Sequence, residues 1–171
     1  MTHTTPEGLH ARLDALGIAY ETYGHPPLHT VEESKALRGD LPGSHIKNLF
    51  LRDKKRQLWL VTVLEDRAID LKALRQRLGA KGNLSFGSAE LLAHALGVPP
   101  GAVTPFALIN DRERRVRFAL DRGVLAEAPV NAHPLTNEAT TAVAPDDLLR
   151  FAEACGHPPQ ILDFDRESRE E

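Results

Sequence analysis

The chain has 171 residues, close to the usual length of one domain. Hydrophobic residues make up 42% and charged residues 26%, and this balance excludes an intrinsically disordered chain. The single cysteine, Cys155, excludes an internal disulfide framework and favours a reducing compartment. Because no apolar run approaches the roughly 18 residues that a membrane-spanning helix needs, we expect a soluble, cytoplasmic protein.

The net charge of −3 is unevenly distributed along the chain. Residues 163–171 hold five acidic residues and two arginines, whereas residues 47–81 carry ten basic residues and four acidic ones. Such a basic segment fits contact with a phosphate backbone, and it equally fits a solvated surface with counter-charges nearby. Charge alone therefore leaves nucleic-acid binding open without requiring it.

The first third of the chain predicts a helix, a strand, a short helix and a hairpin. Thr5-Pro6 is typical of a helix start, and Gly17 marks the end of that helix. A strand over 18–23 follows, and Thr30 has the capping-box spacing that begins a short helix. The hairpin is predicted by two apolar, β-branched runs, 46–52 and 58–63, joined by a polar turn.

The remaining two thirds alternate amphipathic helices with short strands. The predicted helices are 71–78, 89–96 and 145–155, and the predicted strands are 84–86, 106–109, 116–120, 130–133, 140–143 and 160–164. This interleaving favours an α+β fold: a single domain with one mixed, mostly antiparallel sheet and helices packed against it. The domain takes up residues 1–164, and we expect 165–171 to form an acidic, disordered tail.

The dipeptide Lys47-Asn48, at the head of the first hairpin strand, is the first candidate for chemistry. A lysine at a strand end commonly extends along the surface to reach water. The functional alternative is an ammonium held by the sheet over a cleft, where it binds phosphate or a polarised carbonyl. The dipeptide by itself does not decide between them.

A loop and a histidine supply the other candidates. In the loop 101–105, Gly101 either lets the backbone approach a ligand closely or simply returns the chain to the sheet. His133, followed by a proline that favours extended backbone, suits proton transfer, a substrate hydrogen bond or a structural bond to backbone. Asn137 and Thr140 would organise the turn after it.

Signatures of several common enzyme classes are missing. His25 and His29 have the spacing of a zinc-binding helix, but Pro26-Pro27 between them forbids that helix. The segment 43–45 lacks the spacing of a nucleophile elbow, and the chain has no Walker loop or dinucleotide fingerprint. A helix-borne zinc site, a kinase and a serine hydrolase are therefore not predicted.

In their order and spacing, these segments resemble the YbaK/ProX superfamily of aminoacyl-tRNA editing domains. The resemblance runs from about the first helix to Phe164 and is closest to the freestanding prolyl-tRNA editing proteins, which deacylate Ala-tRNA(Pro). Its most specific parts are Lys47-Asn48-Leu49-Phe50 with Asp53-Lys54-Lys55, the loop from Gly101 to Pro105, and His133-Pro134 with Asn137 and Thr140.

The resemblance implies an α+β fold in which the tRNA 3′ end enters a small cleft. It also implies that water hydrolyses a mischarged aminoacyl ester there without a metal, a cofactor or a covalent intermediate. The expected catalytic residues are Lys47, His133 and Gly101. The expected substrate-binding residues are Asn48, Pro105, Asn137 and Thr140, with Leu28, Val31 and Ile46 sizing the amino-acid pocket. The expected partner is the acceptor end of tRNA(Pro), with prolyl-tRNA synthetase or an elongation factor as further partners.

Two alternatives stay open on the sequence. Some relatives in this superfamily remove cysteine rather than alanine, so Cys-tRNA(Pro) or another mischarged tRNA is a second possible substrate. The other alternative is a non-catalytic module that binds tRNA or another nucleic acid through the basic residues 47–81. The enzyme reading further expects Lys47, Gly101 and His133 to converge on the walls of one cavity.

Overall fold

The computed structural model describes residues 3–26, 32–33 and 41–165. The helices that lie wholly within these ranges are α1 (Pro6–Ala15), α2 (Leu71–Leu78), α3 (Ala89–Leu96) and α4 (Pro145–Ala154). The strands are β1 (Tyr20–Gly24), β2 (Ser44–Arg52), β3 (Leu58–Leu64), β4 (Ser85–Phe86), β5 (Val116–Asp121), β6 (Val130–Ala132), β7 (Ala139–Val143) and β8 (Gln160–Leu162). Three short 3₁₀ segments complete them: Pro100–Ala102, Pro105–Asn110 and Arg122–Ala126.

The strands form one mixed sheet in the order β1-β7-β6-β2-β3-β5-β8, with β4 paired to β2. The pairs β1–β7, β6–β7, β2–β3 and β2–β4 are antiparallel, whereas β2–β6, β3–β5 and β5–β8 are parallel. The α+β fold with a mixed, mostly antiparallel sheet is therefore confirmed. None of the helices in the described ranges has the length and apolar character needed to cross a membrane.

Local signals in the sequence account for the helix ends. The hydroxyl of Thr5 accepts a hydrogen bond from the third amide after it, as does the hydroxyl of Ser88, and Asp70 accepts one from the second. Gly79 and Gly97 follow α2 and α3 in the left-handed conformation, with φ of 71° and 70°. The predicted start of a further helix at Thr30 lies outside the described residues, as do residues 166–171 of the predicted tail.

The predicted strand over 106–109 is wrong. These residues belong to the 3₁₀ segment Pro105–Asn110, in which the hydroxyl of Thr104 accepts from the amide of Phe106 at 3.3 Å. Phe106, Ala107 and Leu108 are fully buried. A short, wholly apolar run has no polar positions whose spacing would distinguish a strand from a buried helical turn. Here the cap at Thr104 and the proline at position 105 favour the helical turn.

Both faces of the central hairpin are buried, and this arrangement positions the site. Phe50, Leu58 and Leu60 pack on one face of β2 and β3, in a core shared with α1, α3 and α4. The other face contributes Leu51, Trp59, Val61 and Val63 to a second core with α2. Because successive strand residues point to opposite faces, neighbours in β2 reach different parts of the molecule.

Candidate active site

A cleft of about 260 Å³ lies where five strands begin or end. Its walls come from the ends of β1, β3 and β6 and from the first halves of β2 and β7. Leu41, Ile46 and Ala132 give it an apolar side, and polar side chains from the surrounding strand ends give it a polar side. This mixture suits a small ligand with one apolar group and several polar atoms.

His133 lies in this cleft, directly after β6. The following residue, Pro134, has no N–H to donate, so the strand ends and the chain turns toward β7. The Nδ1 atom of His133 lies 3.0 Å from the carbonyl oxygen of Ala139. Since a carbonyl oxygen only accepts, Nδ1 carries the proton, and the Nε2 atom of the neutral ring has a lone pair.

The electrostatics around His133 favour its neutral form. Burial lowers the pKa of His133, and the nearby His25 lowers it further, while the bond to the Ala139 carbonyl acts in the opposite direction. The net pKa lies below the ordinary value of 6.5. At neutral pH the ring is therefore a base with an accepting nitrogen.

His25 is a second imidazole of the cleft, 6.1 Å from His133 between ring centres. Its Nδ1 donates to the carbonyl oxygen of Pro26 at 2.9 Å, so its Nε2 accepts from the Thr140 hydroxyl, also at 2.9 Å. Its backbone amide donates to the carbonyl oxygen of Glu138 at 2.9 Å, which fixes it beside β7. From the sequence, His25 was a candidate only for a zinc-binding helix, and its place in the cleft was not predicted.

Asn48 connects the cleft to the loop 101–105. It lines the cleft, and its Nδ2 donates to the carbonyl oxygen of Val103 at 3.0 Å. Its Oδ1 accepts from the hydroxyl of Thr62 at 2.6 Å, which fixes the orientation of the amide. The loop is thus attached to β2 through Val103, whereas Gly101 and Pro105 are not among the residues that line the cleft.

Lys47 points away from the cleft. Its neighbours Ile46 and Asn48 both line the cleft, so the alternation along β2 places Lys47 on the opposite face, where its pairing partner Val63 is buried against α2. The Nζ atom donates to the carbonyl oxygen of Arg67. Of the three expected catalytic residues, the structure brings only His133 into the cleft.

Only some of the other expected substrate-binding residues line the cleft. Ile46 and Thr140 line the cleft, whereas Asn137 lies in the turn between β6 and β7 and does not line it. Leu28 and Val31 lie outside the described residues.

Glu65 and His45 also line the cleft, and neither was predicted from the sequence. Glu65 follows β3 and is 8% exposed, and its amide donates to the carbonyl oxygen of His45 at 2.9 Å. The Nε2 atom of His45 donates to the carbonyl oxygen of Leu41 at 2.9 Å. An acid directly after a strand in which only Thr62 is polar was the signal available for Glu65.

Residues 25–151 match the family model of the aminoacyl-tRNA editing domain. The chain belongs to this family. The YbaK/ProX resemblance inferred from the sequence is thereby confirmed.

Individual relatives of this editing domain cover nearly all of it. A Bos taurus protein named prolyl-tRNA synthetase associated domain-containing protein 1 is 44% identical over 162 residues, which is 92% of this chain and 94% of the relative. The prolyl-tRNA editing protein ProX of Acetoanaerobium sticklandii is 37% identical over 155 residues, 90% of this chain and 94% of the relative.

A solved structure shows the same fold. The crystal structure of a candidate trans-editing enzyme for prolyl tRNA synthetase superimposes with a TM-score of 0.72 at 20% identity, and the match covers 95% of this chain and 98% of the other. The cleft therefore belongs to a domain whose overall architecture recurs in another protein.

Proposed function

We propose that this editing domain hydrolyses the ester of a mischarged tRNA(Pro), acting in trans, and that Ala-tRNA(Pro) is its substrate. The observation that carries the proposal is the neutral His133 in the cleft, with Nδ1–H bound to the Ala139 carbonyl and the Nε2 lone pair available. The names of the relatives, which refer to prolyl-tRNA editing and to prolyl-tRNA synthetase, support tRNA(Pro) as the carrier.

In the proposed reaction His133 acts as a general base. Its Nε2 takes a proton from water while the water oxygen forms a bond to the ester carbonyl carbon. The carbon–oxygen bond to the terminal ribose then breaks, and His133 returns the proton to the ribose oxygen. The products are free alanine and uncharged tRNA, so atoms and charges balance without a metal ion or a covalent enzyme intermediate.

Asn48 is the proposed donor to the developing oxyanion. Its Nδ2 carries two hydrogens, and the contact with the Val103 carbonyl uses one of them. The bond from Thr62 to Oδ1 keeps the amide from rotating, so the second hydrogen is held in one direction. A single donor of this kind contributes about 10²–10³-fold in rate.

The experiment compares Ala-tRNA(Pro), Cys-tRNA(Pro) and Pro-tRNA(Pro) under single-turnover conditions. We expect rapid release of alanine and a rate for proline close to the uncatalysed one. If cysteine is released faster than alanine, Cys-tRNA(Pro) is the substrate instead of Ala-tRNA(Pro). Salt-sensitive tRNA binding without any ester cleavage would support the non-catalytic module instead.

Replacing Ile46 by alanine should weaken the discrimination against proline. Ile46 lines the cleft, and a pocket that admits alanine rejects the larger proline by steric clash. Each methylene-sized difference is worth roughly 10–200-fold in selectivity. We therefore expect the ratio of alanine to proline release in Ile46→Ala to fall at least about tenfold. An unchanged ratio in a folded variant would show that Ile46 does not size the pocket.

A further inference from the structure

The acidic side chain of the cleft, Glu65, has no role in the reaction described so far. Among the described residues that line the cleft, it is the only acid. Glu65 is 8% exposed. We propose that Glu65 binds the α-ammonium group of the aminoacyl ester. This inference rests on the proposed function and specifies how the same cleft recognises its substrate.

The chemistry of the substrate requires such a group. An α-amino group has a pKa of about 7.7–8.0, so most of it is a cation at neutral pH. Moving a cation into a partly buried cleft is costly unless an opposite charge receives it. A carboxylate with little exposure makes a shorter and stronger hydrogen bond to an ammonium than a neutral acceptor does. The ester carbonyl is also more electrophilic when the neighbouring amine remains protonated.

The position of Glu65 in the sheet matches the geometry of an amino acid. Ile46 of β2 and Glu65 both line the cleft, and Glu65 lies directly after Leu64, the pairing partner of Ile46 at the end of β3. The α-carbon of an amino acid carries both the ammonium and the side chain, so a ligand for the ammonium must lie beside the side-chain pocket. Glu65 and Ile46 meet this requirement.

The order of strands then separates the ammonium site from the base. Strand β2 lies between β3 and β6, and Glu65 follows β3 whereas His133 follows β6. The register pairs His45 of β2 with Asn131 of β6, two residues before His133. An ester whose ammonium is bound by Glu65 and whose side chain contacts Ile46 therefore extends its carbonyl across β2 toward His133.

Lys47 gains a positioning role from the same arrangement. Its ammonium binds the carbonyl of Arg67, two residues after Glu65, and so attaches this turn to β2. The guanidinium of Arg67 itself contacts Asp121 and Asp165, each at 2.9 Å. The turn after Glu65 is thus fixed in two ways: Lys47 binds its backbone, and the Arg67 side chain binds the two aspartates.

The test compares Ala-tRNA(Pro) with lactyl-tRNA(Pro), in which a hydroxyl replaces the ammonium at nearly the same size. Each kcat/KM is divided by the uncatalysed hydrolysis rate of its own ester, which removes differences in intrinsic reactivity. We expect the wild type to prefer the alanyl ester at least about tenfold, the effect of one charge-assisted contact. Glu65→Gln, which keeps the size and the hydrogen-bonding capacity, should lose this preference through a slower reaction of the alanyl ester alone.

Glu153→Gln is the matched control, since Glu153 is an exposed acid on α4, and it should retain the wild-type preference. The proposal for Glu65 is overturned if Glu65→Gln slows both esters equally or slows neither. That result leaves the proposed hydrolysis intact as long as the wild type releases alanine. A wild type that hydrolyses neither ester overturns both the function and the role of Glu65.

Discussion

Replacing His133 by alanine is expected to slow the hydrolysis of Ala-tRNA(Pro) by about 10²–10⁴-fold, the usual contribution of a positioned general base. The variant loses the Nε2 lone pair that accepts the proton from water. It also loses the hydrogen bond from Nδ1 to the Ala139 carbonyl. The single-turnover rate of alanine release measures the effect.

His133→Asn separates chemistry from structure, because an asparagine amide retains a donor near the position of Nδ1 and has no basic nitrogen. It should be as slow as His133→Ala and have nearly the wild-type melting temperature. His94→Ala, at an exposed histidine of α3, is the control and should react at the wild-type rate. If His133→Asn hydrolyses the ester normally, another group is the base.

The second large effect concerns stability. Replacing Asp111 by alanine should lower the free energy of unfolding by about 3–5 kcal/mol, the usual cost of removing one partner of a buried pair. The Oδ2 atom of Asp111 lies 2.8 Å from Nε2 of His157, and both side chains are nearly inaccessible. The same carboxylate accepts the amides of Arg115 at 3.1 Å and Val116 at 2.7 Å. Denaturant titration gives the change.

A surface pair provides the control for this measurement. Asp147 and Arg150 are 2.9 Å apart on α4, with their side chains 22% and 54% exposed. Asp147→Ala should therefore cost no more than about 1 kcal/mol. A loss for Asp111→Ala as small as that of the control would show that the buried pair contributes little.

The lowered pKa of Asp111 predicts that the protein loses stability at low pH. Burial alone would raise the pKa of Asp111, but the hydrogen bonds from His157 and the two backbone amides outweigh it, and the pKa is lowered from 3.8. Its stabilisation is therefore complete above the unfolded pKa and is lost as the pH falls through the lowered folded value. The pH dependence of unfolding below about pH 5 should be weaker in Asp111→Ala than in the wild type.

The sequence predicted best the features that depend on near neighbours. The helix start at Thr5-Pro6, the helices 71–78 and 89–96 and the central hairpin depend mainly on local chemistry, and the structure has all of them. The segment 106–109 was misassigned because a fully buried run has no polar face to reveal its period.

The site was harder to predict because it depends on which face of β2 meets the cleft. Lys47 and Asn48 were predicted together, yet along this part of β2 the side chains of Ile46 and Asn48 face the cleft and that of Lys47, between them, faces the other side. With both faces of β2 buried, the sequence offers no polar face that would indicate the choice. His25 and Glu65 were missed because they reach the cleft only through the pairing of β1 with β7 and of β2 with β3.

The rate of alanine release from Ala-tRNA(Pro) as a function of pH, with wild type and His133→Asn side by side, tests the mechanism most directly. Because the neutral ring is the active form and its pKa is lowered from 6.5, the wild-type rate should rise with pH and level off below pH 6.5, whereas the variant should lack this rise and stay about 10²–10⁴-fold below the wild-type plateau. A wild-type rate equal to the uncatalysed one, or the same profile in both proteins, would contradict the assignment of this cleft as an esterase site with His133 as its base.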